Sequence, residues 1–333
     1  MIRLKPLRDQ VVVILGASSG IGRATARQCA ARGATVVVAA RSEPGLVSLV
    51  AEIEAAGGRA SHVVCDVTDF DQVVNVAGVA VARYGRIDTW VNAAAVGVYA
   101  TFEDISLAEF RRVMDVNLMG YVHGAKAALP HLRREGRGAL IFISSIESTV
   151  AMPLQGAYAT SKHAIQGMIE TLRRELRAER VPVSVTSIKP AVINTPFFDN
   201  ALSKVGYAPT APPPAYHPAV VAACVCHAAE HPVRDLYPGG AGRVMTLLQL
   251  FAPRFLDAAI GRVGIPLQRT DEPDGRGALY EPRVEDDRVE GRISFHTLRL
   301  SPYTWLQTHP RGKALGAVVA GVIGGALARR RFG

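Results

Sequence analysis

The chain has 333 residues, 49% of them hydrophobic, 20% charged and only 6% aromatic, with a formal net charge of +9. This apolar content excludes wholesale disorder and leaves two domains, or one α/β domain with an extension. Four scattered cysteines (Cys29, Cys65, Cys224, Cys226) exclude a disulfide scaffold, match no zinc or redox spacing, and read as reduced thiols of a cytoplasmic protein.

Residues 1–10 carry a net +2 and show no secretory pattern. The first apolar run, Val11–Leu15, meets Gly16 at once, as a buried strand meets a turn. Further strand-like runs follow at Val36–Ala40, His62–Cys65, Ile87–Val91, Ala139–Ile143 and Val183–Ile188. Between them lie amphipathic stretches of helical length, such as Gly22–Arg32, Glu43–Ala56 and Leu107–Leu118. Short β-rich runs alternating with helices predict βαβ units. The expected fold is therefore α/β, a Rossmann-like doubly wound parallel sheet of about seven strands within residues 1–240.

The alternation fades after residue 240. Residues 208–218 are proline-rich and predict an extended loop. Residues 241–308 form a C-terminal extension. Amphipathic helices are expected there at Met245–Phe251 and Phe255–Ile260, either covering a substrate opening or lying on a membrane surface. Residues 271–292 hold eight acids against four arginines and read as a solvated loop. The tail, 309–333, carries a net +5, and its Ala314–Ala328 stretch is uncharged between Lys313 and Arg329-Arg330-Arg331. As a helix that stretch spans roughly 22 Å, short of a hydrocarbon core of roughly 30 Å, although flanking cations can snorkel. Three readings stay open: a tail associating with the cytoplasmic face of a membrane, docking on the body or another subunit, or a frayed end. Only +2 remains on residues 11–308, so the body is nearly neutral and no nucleic-acid surface is expected.

Gly16-Ala17-Ser18-Ser19-Gly20-Ile21-Gly22 stands between the first strand and the first helix. Glycines there allow a tight turn and close approach to a diphosphate, which the helix N-terminus then attracts. An NAD site places an acid at the end of the second strand. Here that position is Ala40, followed by Arg41, whose guanidinium suits a 2′-phosphate and favours NADP(H). The plainer reading of Arg41 is a surface residue beside Ser42 as helix cap. Asp66, after the third strand, is either an acceptor for the adenine amino group or a helix cap.

Tyr158 and Lys162 are four apart and share a helix face. A neighbouring ammonium stabilises a phenolate and brings a tyrosine into the range of useful proton exchange. Thirteen residues before Tyr158, Ser145 ends a strand at the sheet edge where open α/β folds build their sites, with Ser144 as the competing hydroxyl.

Together these residues resemble the short form of the short-chain dehydrogenase/reductase superfamily. The matching pieces are Gly16-x-x-x-Gly20-x-Gly22, Asp66-Val67, Asn92-Ala93-Ala94-Ala95, Asn117, Ser145, Tyr158-x-x-x-Lys162 and Pro190-Ala191-x-x-x-Thr195, in the family's order over roughly residues 8–240. The resemblance implies that Tyr158 is the catalytic acid/base, that Lys162 lowers its pKa and holds the nicotinamide ribose, and that Ser145 orients the substrate carbonyl. It implies that Asn117 holds a backbone kink and a water in a proton relay. Ile193 and Thr195 would contact the nicotinamide carboxamide, and Asn92 would brace the sheet near the adenosine. The cofactor set implied is Gly16, Ser18, Ser19, Gly20, Ile21, Gly22, Arg41, Asp66, Val67, Asn92, Tyr158, Lys162, Pro190, Ile193 and Thr195, and no metal. Leu15, Ala93, Ala95 and Ala191 depart from the family's usual residues, but none removes a catalytic group.

Pro196-Phe197-Phe198, Leu202, Val205 and Tyr207 suit an apolar carbonyl or alcohol, with Met152-Pro153-Leu154 adding to the same wall. The expected activity is an NADP(H)-dependent interconversion of carbonyl and alcohol. Its rivals are 3-oxoacyl thioester reduction and a non-catalytic NADP-sensing or scaffold protein. The resemblance also implies a homodimer or homotetramer.

Overall fold

The computed structural model describes residues 2–274 and 277–309. The expectation for Ala314–Ala328 lies outside them. Strands β1 (Val11–Leu15), β2 (Thr35–Ala40), β3 (Arg59–Val64), β4 (Thr89–Asn92), β5 (Gly138–Ile143), β6 (Val183–Ile188) and β7 (Asp235–Leu236) build one sheet. It has seven strands, in the order β7-β6-β5-β4-β1-β2-β3, and every pairing is parallel.

Strands β1, β2 and β5 read as nearly unbroken apolar runs, buried along their whole length, because both faces are covered. Alternate residues of β1 enter opposite layers. Val12 and Ile14 pack in one core with α1 (Gly20–Ala31), α2 (Glu43–Ala55) and α7 (Pro218–Glu230). Val11, Val13 and Leu15 pack in the other with α3 (Phe70–Tyr84), α5 (Gly120–Arg134) and α6 (Gly156–Ala178). Cys29 and Cys226 are buried free thiols where α1 meets α7, their sulfurs 3.6 Å apart. The strand order reverses beside β1, so a crevice opens at the carboxyl ends of β1 and β4.

One expected helix is differently built. The stretch read as Leu107–Leu118 is α4 (Leu107–Met114), fixed at its start by a Ser106–Glu109 capping box and followed by a π-helical turn at Asp115–Met119 that runs directly into α5. The spacing of apolar residues cannot register such an insertion.

The extension lies on the body. Helices α8 (Gly240–Phe251) and α9 (Pro253–Val263) occupy the positions of the two expected helices, with Pro253 opening the second rather than only separating them. Further on, α10 (Pro302–Thr308) ends the described chain, and Thr297–Leu298 pairs in parallel with Ala215–Tyr216.

Residues 278–292, expected as solvated loop, form a strap across the crevice. Ala278, Leu279 and Asp286 are buried. Asp286 is only 1% exposed and pairs with Arg288 at 2.9 Å and Arg283 at 3.5 Å. A surplus of acids looks solvated in sequence because pairing with distant or neighbouring arginines is invisible there.

Candidate active site

The glycine turn after β1 forms one end of a crevice of about 780 Å³. Gly16 has φ +79°, and a Cβ on it would fall 2.5 Å from the Ala94 backbone. A Cβ on Gly22 would fall 2.0 Å from the Gly16 carbonyl, so the turn closes only with glycine at both places. Arg23, nearly buried, donates to the Ser18 carbonyl at 3.1 Å and the Gly45 carbonyl at 3.0 Å and pairs with Glu52 at 2.6 Å, which ties the turn to α2. Ser18, Ser19, Gly20 and Ile21 line the crevice, and Ser19 begins α1 without a side-chain cap. A helix N-terminus without a side-chain cap, set against a glycine surface, fits the diphosphate of a dinucleotide.

The predicted adenosine side is partly engaged within the protein. Arg41 donates to the Tyr280 carbonyl and, at 3.1 Å, to the Ala278 carbonyl. Burial lowers its proton affinity, against the pull of Asp66. Asp66 accepts from the Thr68 amide and hydroxyl at 2.9 Å each and from Arg112 at 3.1 Å. Burial opposes its charge, but these bonds outweigh it and hold the carboxyl below its usual range. Val67 lines the crevice and its carbonyl lies 2.9 Å from His123 Nδ1. Asn92, predicted among the cofactor contacts, does not line the crevice. It lies beneath the floor against Gly124, where a Cβ would meet its Oδ1 at 1.9 Å, so it braces the sheet against α5.

The second end of the crevice gathers the predicted catalytic groups. Tyr158 and Lys162 stand one turn apart on α6, and Ser145 follows β5. Ser145 hydrogen-bonds the Tyr158 hydroxyl and accepts from the Glu147 amide at 3.1 Å. Ser144 is buried too, but its hydroxyl has no partner among the described residues. Lys162 is 1% exposed and donates to the Ile143 carbonyl at 3.0 Å. Asn117 sits in the π turn, 0% exposed, and does not itself line the crevice. Its amide accepts from Val96 N at 2.9 Å and donates to Val96 O at 3.0 Å and Ser161 Oγ at 3.1 Å. Pro190, Ile193 and Thr195 line the crevice, and the Pro190 carbonyl accepts from Ile146 N at 3.0 Å.

Burial governs the electrostatics. It pushes the Lys162 ammonium down to about 7, against the attraction of Glu147. It pushes the Tyr158 phenol up, with Glu147 adding to the rise and Ser145 opposing it. The expectation that Lys162 holds the phenol below its ordinary range is not met here, because desolvation of Tyr158 outweighs any charge beside it. Glu147 was missed from the sequence. It is buried, lines the crevice, and burial raises its carboxyl to about 8 despite the Met152 amide and Lys162. Its only sequence signal is an acid two residues after Ser145. Asp287 of the strap also lines the crevice and was likewise missed.

The opening is apolar. Phe197 packs on Tyr158 with ring centroids 5.0 Å apart, and Met152, Met245, Leu248 and Phe255 continue the wall. The extension thus supplies part of the lining.

Comparison with known proteins agrees with this layout. The model of the short chain dehydrogenase family matches residues 10–206. The Bacillus subtilis (strain 168) protein described as uncharacterized oxidoreductase YxnA is 36% identical over 338 residues, covering 99% of this chain and 93% of that one. A short-chain dehydrogenase structure from Streptomyces avermitilis superposes with a TM-score of 0.64 at 28% identity, covering 77% of this chain and 98% of that one. An alcohol dehydrogenase from the archaeon Thermococcus sibiricus, complexed with 5-hydroxy-NADP, superposes with a TM-score of 0.59 at 28% identity, covering 68% of this chain and 95% of that one. Because the family model spans more than half of the chain and the Bacillus relative nearly all of it, the protein belongs to the short chain dehydrogenase family and is an oxidoreductase of that family.

Proposed function

We propose that this protein is an NADP(H)-dependent oxidoreductase that interconverts a carbonyl and an alcohol on an apolar substrate. The observation that carries the reading is one crevice with two ends. Ser145, Tyr158 and Lys162 meet under an apolar wall at one end, and a glycine turn with Arg41 lies at the other. The Thermococcus structure with 5-hydroxy-NADP lends support by analogy.

A bound nicotinamide supplies or accepts the hydride at the substrate carbon. In the reducing direction Ser145 donates a hydrogen bond to the carbonyl oxygen and Tyr158 delivers the proton to it. Lys162 steadies the charge left on the phenolate and holds the ribose. Asn117 fixes the π turn through Val96 and Ser161, so that the wall facing Tyr158 keeps its shape. The walls exclude water and orient the carbonyl.

The test is a panel of ketones, aldehydes and secondary alcohols of graded chain length, followed by NADPH and NADH absorbance in parallel. Turnover that prefers NADPH and rises with apolar chain length supports the reading. Binding of NADPH without turnover on the whole panel would favour a sensor. An Arg41→Ala variant is expected to lose NADPH preference by about tenfold or more, since a charge-assisted fork on the 2′-phosphate is gone.

A further inference from the structure

The strap closes over the groups that would meet the adenosine ribose. Ser42 donates to the Asp287 carboxylate at 2.5 Å, and Ser18 favours the charged form of the same carboxylate. Arg41 spends two donors on the strap carbonyls of Tyr280 and Ala278. The Gly20 amide, in the glycine turn itself, donates to the Arg288 carbonyl at 2.8 Å. The Asp287 carboxylate rests on the first turn of α2, where a Cβ on Gly45 would fall 2.3 to 2.4 Å from it. Arg23 adds a positive field from below.

The strap is anchored on both sides of this contact. Asp286 is buried among Arg283 and Arg288, and Arg288 also pairs with Asp199 at 2.6 Å. Further along, Gly291 N donates to the Asn194 carbonyl at 3.3 Å, and Asn194 donates to Thr297 at 3.1 Å. Asp287 is therefore held in place by the protein.

An anion bonded to Ser42, the residue after Arg41, sits where a 2′-phosphate held by Arg41 would sit. Two anions cannot share that donor, whereas a ribose hydroxyl can donate to the carboxylate. Resting on the dinucleotide reading of the crevice given above, we propose that Asp287 is a specificity-determining residue of the cofactor site. It competes with the 2′-phosphate for Ser42 and restores, from the C-terminal extension, the acid that the end of β2 lacks. The preference for NADP(H) set by Arg41 is thereby reduced, and a 2′-phosphate enters only as Asp287 leaves.

The experiment measures binding rather than turnover. Full-length wild type, Asp287→Asn, Asp287→Ala and Arg41→Ala are titrated with 2′,5′-ADP, 5′-AMP, NADPH and NADH by calorimetry and fluorescence, after circular dichroism has confirmed folding. Asp287→Asn keeps an acceptor for Ser42 and is the milder variant. Both Asp287 variants are expected to raise the ratio of NADPH to NADH affinity, and of 2′,5′-ADP to 5′-AMP affinity, about tenfold. Ratios within twofold of wild type would overturn the proposal. Should Arg41→Ala leave the ratios unmoved while the Asp287 variants shift them, the Arg41 reading fails and the Asp287 proposal stands; the reverse pattern does the opposite. A measurement on unaltered protein guards against misfolded variants. Trypsin is expected to cut the strap at Arg283 or Arg288 faster with 2′,5′-ADP present than with 5′-AMP. Equal rates with the two would count against displacement of Asp287.

Discussion

Lys162 Nζ donates to the Ile143 carbonyl at 3.0 Å and lies 5.4 Å from the centroid of the Tyr158 ring, so one ammonium joins the end of β5 to the tyrosine one helical turn before it. It also lies 5.0 Å from the centroid of the Tyr121 ring, and burial brings it down to about 7. An ammonium so placed can exchange its proton near neutral pH, which a solvated lysine cannot.

Tyr158→Phe removes the hydroxyl that Ser145 bonds while keeping the ring against Phe197. Turnover on the best carbonyl substrate is expected to fall about 10²–10⁴-fold, with NADPH affinity little changed. Steady-state kinetics beside a fluorescence titration check both. Retention of full turnover would remove Tyr158 from the proton transfer.

Glu147 makes stability depend on pH. Its folded proton affinity, about 8, lies above the ordinary 4.5, so the folded state holds the extra proton between those values. Stability from this group is present below pH 4.5 and is lost as pH rises through 8. Lys162 acts in the opposite sense, since its folded value of about 7 lies below 10.5 and its contribution improves as pH rises between them. Glu147→Gln carries no ionisable proton. It is expected to gain on the order of 4 kcal/mol relative to wild type between pH 5 and pH 9. Urea unfolding at the two pH values measures this, and an equal difference at both would contradict it.

Asn117→Leu strips three hydrogen bonds from a fully buried site and leaves both backbone groups of Val96 without their partner. A loss of about 2–4 kcal/mol is expected, because each orphaned polar group bears its desolvation cost. The urea midpoint reports it. A change under about 0.5 kcal/mol would mean that the π turn holds without Asn117.

Leu248 on α8 and Phe255 on α9 line the opening, beyond the reacting end. Leu248→Asp is expected to raise KM for a long apolar carbonyl by about tenfold or more, from the lost burial of one apolar chain against substrate. The kcat on a small ketone should stay within about twofold. A uniform fall on both substrates would place Leu248 in the fold instead.

Much of the frame was legible early. The limits of β6 coincide with the run Val183–Ile188, and both helices of the extension formed where apolar residues recur at helical spacing. A parallel sheet followed from alternation of strand and helix, whereas the two-residue β7 at Asp235–Leu236 and the strand order came only with the structure. The apolar spacing carried no mark of the π turn at Asp115–Met119, although the resemblance implied a backbone kink held by Asn117, whose side chain reaches Val96, twenty-one residues away.

The amino-acid sequence by itself determined the glycine turn, the Ser145, Tyr158 and Lys162 set, and the βαβ order that brings them to one sheet edge. Those depend on residue identity at short spacing, where backbone sterics and strand and helix periods act directly. Only the tertiary structure decided that Glu147 is buried beside Lys162, that Asn92, expected to brace the sheet, does not also line the crevice, and that an acid-rich stretch crosses the crevice to set Asp287 on Ser42. These are contacts across as many as 245 residues of chain. Their energies come from desolvation and pairing, which depend on what surrounds a charge and not on its neighbours in sequence.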